Sequence, residues 1–213
     1  MDSRIEMRFE NVARSKTFRN ILNAYGLSRR AVLDIGCTYG EFLKHFGPGS
    51  VGLTVIKEEV DIGRSRGLNI QLANIENPNF SLEEKFNVIF ANNIFEHMQS
   101  PHNFLIRIKR FLKPGGIIVL GVPCIPYFSF LMRLNKFRGA LASPHINFFT
   151  RTTLMKTVEY AGWDILEVRG FRFQSRMIDY LINPIYPHFY VIAKMDPDFR
   201  YSDKRLRELA GYN

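Results

Sequence analysis

Cysteine is scarce in this sequence: Cys37 and Cys124 are the only thiols in 213 residues. Two such residues make neither a disulfide framework nor a metal-ligand spacing, and they suit a reducing compartment. Long apolar runs are missing too. The most apolar stretch, Ile117 to Met132, is broken by Gly121, Pro123 and Pro126, so it is too short and too interrupted to span a bilayer. Met1 to Asn20 is polar and lacks the apolar centre of a secretory signal. There is no repeat, no low-complexity tract and no linker that would mark off a second domain. These absences read as a soluble, cytoplasmic chain with one main domain and small additions.

What is present has an ordinary globular balance, with 46% apolar and 23% charged residues, which excludes a disordered or collagen-like chain. A chain of this length buries roughly 70% of its unfolded surface and needs no covalent staple. The net charge of +9 is unevenly placed. Residues 1–30 carry +4, residues 31–100 carry −4 and residues 101–213 carry +9. Such asymmetry either separates the environments of two ligands or marks a solvated basic surface.

Apolar periodicity predicts a helical lead-in from Arg4 to Tyr25, ended by Gly26. Short apolar runs follow at Ala31–Ile35, Val51–Val55, Asn69–Leu72, Phe86–Ala91 and Gly116–Val122. Helical stretches lie between them at Gly40–Phe46, Glu58–Arg66 and Pro101–Leu112. This alternation argues for a parallel sheet with helices on both faces. Beyond it, Thr150 reads as the N-cap of a helix ending near Ala161. Asp164–Phe171 and His188–Lys194 read as strands around an excursion, Arg172–Pro187. Ser202 caps a short charged helix to Ala210.

The sharpest local feature is Val32-Leu33-Asp34-Ile35-Gly36-Cys37-Thr38-Tyr39-Gly40, a strand running through a glycine turn toward a helix. Glycine lets backbone approach a ligand, and the first strand-to-helix turn of an open sheet lies where ligands bind. Glycines at 36, 38 and 41 would make a dinucleotide fingerprint, but Thr38 and Glu41 break it.

The sequence resembles the class I S-adenosylmethionine-dependent methyltransferases, in the small group similar to ubiquinone-biosynthesis-type O-methyltransferases. The resemblance covers about residues 20–195. It rests on V-L-D-I-G-C-x-x-G at 32–40, V-G-L at 51–53, F-N-V-I-F at 86–90 and E-H-M at 96–98. It continues with F-L-K-P-G-G at 111–116, Pro123, P-H-I-N-F-F-T at 144–150 and A-G-W at 161–163. It implies a Rossmann-like α/β fold: seven strands, mostly parallel, helices on both faces, the last strand antiparallel beside the fifth. A small lid insert, about 124–144, follows the fifth strand. The implied domain spans 31–195, between the lead-in 1–30 and a peripheral tail 196–213.

The resemblance places the cofactor, S-adenosylmethionine, with S-adenosylhomocysteine as product, on Asp34, Gly36, Cys37, Thr38 and Gly40. Thr54, with Val55, falls where the family has an acidic residue for the ribose hydroxyls. Asn74, between Ala73 and Ile75, falls where an Asp accepts from the adenine amino group. Asn92 and Asn93 fall at the methionine end. Thr38 puts a Cβ beside the ligand. Thr54 gives up a charged acceptor, a loss of about 1.5–3 kcal/mol, so Thr54→Asp is expected to tighten binding. Asn74 keeps an accepting oxygen.

Transfer to an alcohol or phenol calls for a general base, and His145 and His97 are the candidates. Each has a structural alternative: His145 as a loop hydrogen-bonder, His97 as a packing residue. Relatives that hold a divalent metal use E-x-x-E-H. Here Asn93-Ile94-Phe95-Glu96-His97 lacks the first carboxylate, so no metal is expected. Tyr127, Phe128, Phe130, Leu131 and Phe137, interleaved with Arg133, Lys136 and Arg138, read as a substrate lid or as an ordinary amphipathic helix. The expected acceptor is a small molecule, anionic or lipid-linked, methylated on oxygen. Peripheral membrane contact through the basic aromatic lid also fits. Nucleic acid is a weaker partner, since no RNA-binding module or N-P-P-Y-like motif appears. A catalytically degenerate binding protein is the remaining alternative; oligomeric state is not legible.

Overall fold

The computed structural model describes residues 3–142 and 144–209. The expectations that touch Met1, Asp2, Ser143 and the tail from Ala210 lie outside the described residues. Helices α1 (Ser3–Arg14) and α2 (Lys16–Ala24) lead into strand β1 (Val32–Ile35). Then come β2 (Val51–Thr54), α3 (Lys57–Ser65), β3 (Ile70–Leu72), β4 (Phe86–Asn92), α4 (Pro101–Ile108) and β5 (Leu112–Ile125). The second half adds α5 (Asn135–Arg138), β6 (Phe149–Thr150), α6 (Arg151–Tyr160), β7 (Trp163–Arg169), α7 (Arg176–Ile182), β8 (His188–Met195) and α8 (Asp203–Leu209).

The strands form one sheet in the order β3-β2-β1-β4-β5-β8-β7. β1 to β5 pair in parallel, and β8 runs antiparallel between β5 and β7. The seven-strand path and its reversed last strand agree with the expectation. An eighth, two-residue strand, β6, is new: Cys124 pairs with Phe149 and Ile125 with Thr150.

The two-residue period of the strands sorts the core. Val32, Val88, Phe90, Val119 and Ile192 face α2, meeting Phe18 and Ile21. Leu33, Ile89, Ile118, Leu120 and Val191 face the other side, against Phe104, Leu105 and Ile108 of α4 and Leu154 and Val158 of α6. Each such buried side chain contributes about 1.5–3 kcal/mol. The cap of α6 is the expected one: Thr150 accepts from the Thr153 N–H, and Thr153 answers at the Thr150 N–H.

Two helices differ from expectation. The lead-in is two helices, because Ser15 takes an extended conformation and its hydroxyl accepts the Phe18 N–H at 3.2 Å. Gly40–Phe46 is not an α-helix; only Leu43–His45 makes a 3₁₀ turn. Gly40 sits at φ +89°, and the Gly47 N–H is already drawn to the carbonyls of Leu27 and Arg30. The chain therefore turns back before a full helix forms.

The excursion before β8 is organised by a buried ion pair. Asp179 is fully buried and accepts from Arg169 Nη1 at 3.0 Å, from the Tyr186 hydroxyl at 3.0 Å and from the Phe173 N–H at 3.1 Å. Ser175 caps α7 by accepting the Ile178 N–H. Among the described residues no helix is long and apolar enough to cross a membrane.

Candidate active site

The C-terminal ends of β1, β2 and β4 meet at the glycine turn. The N–H groups of Gly36 and Cys37 both donate to the Leu53 carbonyl, at 2.9 and 3.0 Å. Gly36 stands at φ +74°, and a Cβ there would lie 3.0 Å from Ile94 Cγ1. Thr38 is left-handed at φ +48°, a conformation that costs a non-glycine residue about 1 kcal/mol. It is held there from outside the turn. Its hydroxyl donates to Glu41 at 2.5 Å and accepts from Arg8 Nη2 at 3.2 Å, while Arg8 Nε donates to Glu41 at 2.5 Å. The Arg8 guanidinium also lies 5.3 Å over the Tyr39 ring. Both side chains that follow the first turn residues are thus tied to α1.

Three carboxylates are buried together near this turn. Asp34, Glu41 and Glu59 are 2%, 3% and 8% exposed. Burial and the neighbouring Glu41 raise the Asp34 carboxyl well above its usual range, and its Oδ2 has no partner. Burial, followed by the fields of Asp34, Glu59 and Glu41, also raises the Cys37 thiol, which leaves it inert. The Thr54 hydroxyl donates to Glu59. Val55 is exposed, and the Ala73 N–H donates to the Thr54 carbonyl at 2.8 Å, which sets 73–75 beside the end of β2. Ile75 is buried, whereas Asn74 is exposed and its Oδ1 accepts the Glu76 N–H at 2.9 Å in an Asx turn.

A second centre lies where β4, β5 and β8 meet. A Cβ on Gly121 would fall 2.3 Å from Asn92 Oδ1, 2.5 Å from the Tyr190 ring and 3.0 Å from His188 Cε1. The missing side chain lets these three groups converge, and the buried Asn92 Oδ1 has no partner. Asn93, left-handed at φ +53°, bonds through Oδ1 to His188 Nε2 at 2.8 Å. That bond puts the ring proton on Nε2 and leaves Nδ1 as acceptor. Burial lowers the His188 pKa to about 4, so the ring is neutral at ordinary pH. A cavity of about 540 Å³ opens here, lined by Asn93, His188, Tyr190, Tyr186, Lys136 and Arg172. On the other side of Tyr186 lies an apolar groove of about 560 Å³, lined by Tyr127, Tyr180, Leu181, Phe189 and Arg151. The Arg151 guanidinium lies 6.0 Å over the Phe189 ring, and its buried Nε has no hydrogen-bond partner among the described residues.

The two histidines expected as bases come together, but neither lines these cavities. The N–H groups of Ile146 and Asn147 donate to the Glu96 carbonyl, and the Asn147 amide donates to the Met98 carbonyl at 2.6 Å. This clamp brings His145 Nε2 to 3.9 Å from Glu96 Oε1 and sets its ring edge-on to His97, with centroids 4.8 Å apart. Glu96, His97 and His145 each offer one ligand atom, all within 4.8 Å of one another. Both Glu96 oxygens are buried without a hydrogen-bond donor, and burial raises its pKa to about 7. Burial and His145 lower the His97 pKa.

The lid residues divide by role. Phe137 is buried and anchors α5, whereas Tyr127 is 85% exposed and Phe128 half-exposed. Arg138 Nη2 donates back to the Arg133 carbonyl, and it is Lys136 between them that reaches the cavity. Sequence reasoning missed Arg8, Glu41, Glu59 and His188, whereas Lys136 is one of the lid cations expected from the sequence. The legible signals were Glu59, one turn into the helix after Thr54, and His188, opening the strand beside Gly121.

This strand order, with a glycine turn after β1 and one reversed strand between two parallel ones, defines the Rossmann-like methyltransferase class. A model described as a methyltransferase domain matches residues 7–168, and the chain belongs to that family. It is similar to a ubiquinone biosynthesis O-methyltransferase of Roseobacter denitrificans, 27% identical over 67% of this chain and 63% of that one. It is also similar to a tRNA U34 carboxymethyltransferase of Hydrogenovibrio crunogenus, 31% identical over 47% of this chain and 34% of that one. The chain spans about half the length of the curated relatives it matches. A solved S-adenosylmethionine-dependent methyltransferase from Archaeoglobus fulgidus shares the fold, with TM-score 0.61 at 20% identity, over 91% of this chain and all of that one.

S-adenosylmethionine is the cofactor of this class, and the residues present fit it. It brings a sulfonium, an ammonium and two ribose hydroxyls, all matched by acceptors or negative charge. The turn offers three buried carboxylates, of which Glu41 is paired with Arg8, an Asp34 Oδ2 without a partner among the described residues and a glycine without Cβ at position 36.

Proposed function

We propose that the protein methylates an oxygen on an anionic, amphiphilic small molecule. The observation that carries this reading is the pair of cavities that share Tyr186: one presents Lys136, Arg172, Asn93 and His188 among apolar side chains, and the other is the more apolar, with Arg151 in its wall. The first suits the reacting, charged end of an acceptor and the second its apolar part.

When bound, S-adenosylmethionine would supply a methyl group already activated on a sulfonium, leaving as S-adenosylhomocysteine, and this chain would have to take up the proton that the acceptor oxygen gives up. Asp34, Gly36, Cys37, Thr38, Gly40, Thr54, Val55, Ala73, Asn74, Ile75 and Asn92 bind the donor. Asn93 and neutral His188 orient the acceptor by hydrogen bonds, and Lys136 and Arg172 hold its anionic group. His145 and His97 are the candidate bases; they stand beside Glu96 and outside both cavities, so the acceptor's proton reaches them by way of water and not by direct contact, and a Glu96 pKa of about 7 suits proton exchange near neutrality.

The surface around the cavities fits a lipid source for such an acceptor. No Asp or Glu occurs between Glu96 and Glu159. Tyr127, Phe130 and Leu134 of the lid and Met177 and Leu181 of α7 are all more than half exposed. Cationic and aromatic together, this face suits an anionic bilayer surface.

Calorimetry with S-adenosylhomocysteine tests the donor site; no binding at millimolar ligand removes the enzyme reading and leaves a degenerate fold. Sedimentation with vesicles of phosphatidylcholine, with and without phosphatidylglycerol, tests the acceptor class. Retention only with the anionic lipid supports it. Salt-steep RNA binding without vesicle retention moves the acceptor to nucleic acid. His145→Ala should lower turnover at least 100-fold with S-adenosylhomocysteine affinity unchanged; unaltered turnover rejects the base.

A further inference from the structure

We infer that Glu59, presented by the first turn of α3 and held by the Thr54 hydroxyl, is the carboxylate that takes the ribose hydroxyls in this chain. The inference rests on the cofactor reading above and assigns the acid that the end of β2 lacks.

The end of β2 points a hydroxyl where an acceptor is needed, and that hydroxyl is spent as a donor to Glu59. Glu59 is the third residue of α3. A glutamate there ordinarily folds back to accept the N–H of the N-cap residue. Here the N-cap is Ile56, and its N–H goes to Thr54 Oγ1 at 3.3 Å. Glu59 is thereby released from capping. It makes no ion pair among the described residues, although it is 8% exposed. A carboxylate that is buried, free of a cation and only singly hydrogen-bonded retains accepting capacity for two further donors. A vicinal diol supplies two. Its bond to Thr54 holds the carboxylate at the end of β2, one residue beyond Leu53, whose carbonyl takes the N–H groups of Gly36 and Cys37, so it lies on the side of the proposed donor site.

The second observation is Asp34 of β1, in register with Gly52 of β2 and 2% exposed, whose Oδ2 has no partner among the described residues. A buried acceptor left open beside the glycine turn is completed by a ligand that brings donors. The arrangement also reverses an expectation from the sequence. Thr54→Asp would set a second carboxylate against Glu59, and two carboxylates in contact cannot both stay ionised. It would lose a donor and gain repulsion.

Calorimetry compares S-adenosylhomocysteine with its 2′-deoxy analogue on wild type, Glu59→Gln, Thr54→Asp and the double variant Thr54→Asp with Glu59→Ala. Wild type should bind the analogue roughly 10- to 100-fold more weakly than the parent. Glu59→Gln should lose a similar factor for the parent and little more for the analogue, a coupling that mere support of α3 would not produce. Thr54→Asp should bind no more tightly than wild type, and the double variant should regain affinity. Parent binding by Glu59→Gln within twofold of wild type overturns the inference and leaves the methyltransferase reading standing. Absent binding to wild type removes both. If Glu59→Gln does not fold, the analogue decides on wild type and Thr54→Asp: equal binding of parent and analogue, or tighter binding by Thr54→Asp, overturns the assignment.

Discussion

The two sides of the site are built from opposite materials. Around β1 and β2 the side chains are short, buried and acidic, and one cation, Arg8, bridges Thr38 and Glu41 from α1. Around β5, β8 and α7 they are long, aromatic and basic, and many stand in solvent. The first side offers fixed acceptors, and the second offers volume, cations and apolar area. On the function proposed above, recognition of the methyl donor would rest on named atoms and recognition of the acceptor on shape and field.

The sharpest way to break this comparison is to unlatch the acceptor side alone. Asp179→Ala leaves the buried Arg169 with only Glu167 and the Phe173 carbonyl as partners and releases the Phe173 N–H and Tyr186 hydroxyl. It should cost about 3–5 kcal/mol in a denaturation midpoint while S-adenosylhomocysteine affinity in the folded fraction is unchanged. A loss of donor affinity would mean that the two sides are not separate. Gly121→Ala probes the seam between them. Its Cβ would collide with Asn92 Oδ1 and the Tyr190 ring, so a loss of about 1–3 kcal/mol is expected, with turnover falling further than stability requires.

A pH titration sharpens the comparison at Glu96. Its pKa is raised to about 7 in the folded chain from an ordinary value near 4.5. Between those values the unfolded chain releases the proton and the native one keeps it. Stability should therefore fall as pH rises through that window and level off above about 7, and Glu96→Gln should flatten the curve. Ser15→Ala is the mildest change: the lost cap of α2 should cost about 1 kcal/mol in thermal stability and leave both ligand sites intact.

The sheet was legible because apolar runs such as Val32–Ile35 and Phe86–Asn92 are buried on both faces and flanked by turn residues. Position 150 was legible because a threonine cap is a local event. The split at Ser15 was local as well, but the apolar stripe continues through it and hides it. The short turn after Gly40 was set by distant carbonyls at Leu27 and Arg30, which no local pattern carries. In the site, Asp34, Gly36 and Asn92 stand out by position along strands. Glu59, His188 and Lys136 reach it from the next helix, the last strand and the lid, so only the folded arrangement brings them there. His145 and His97 were recognisable as chemistry-bearing residues, yet their meeting at Glu96 depends on the clamp made by Asn147.

Tyr186 borders both chambers, with its hydroxyl tethered to Asp179. On the function proposed above, a substitution of that one ring would reshape both chambers and leave the carboxylates at β1 and β2 untouched. The choice of acceptor would then drift at one post without any change in the machinery that supplies the methyl group.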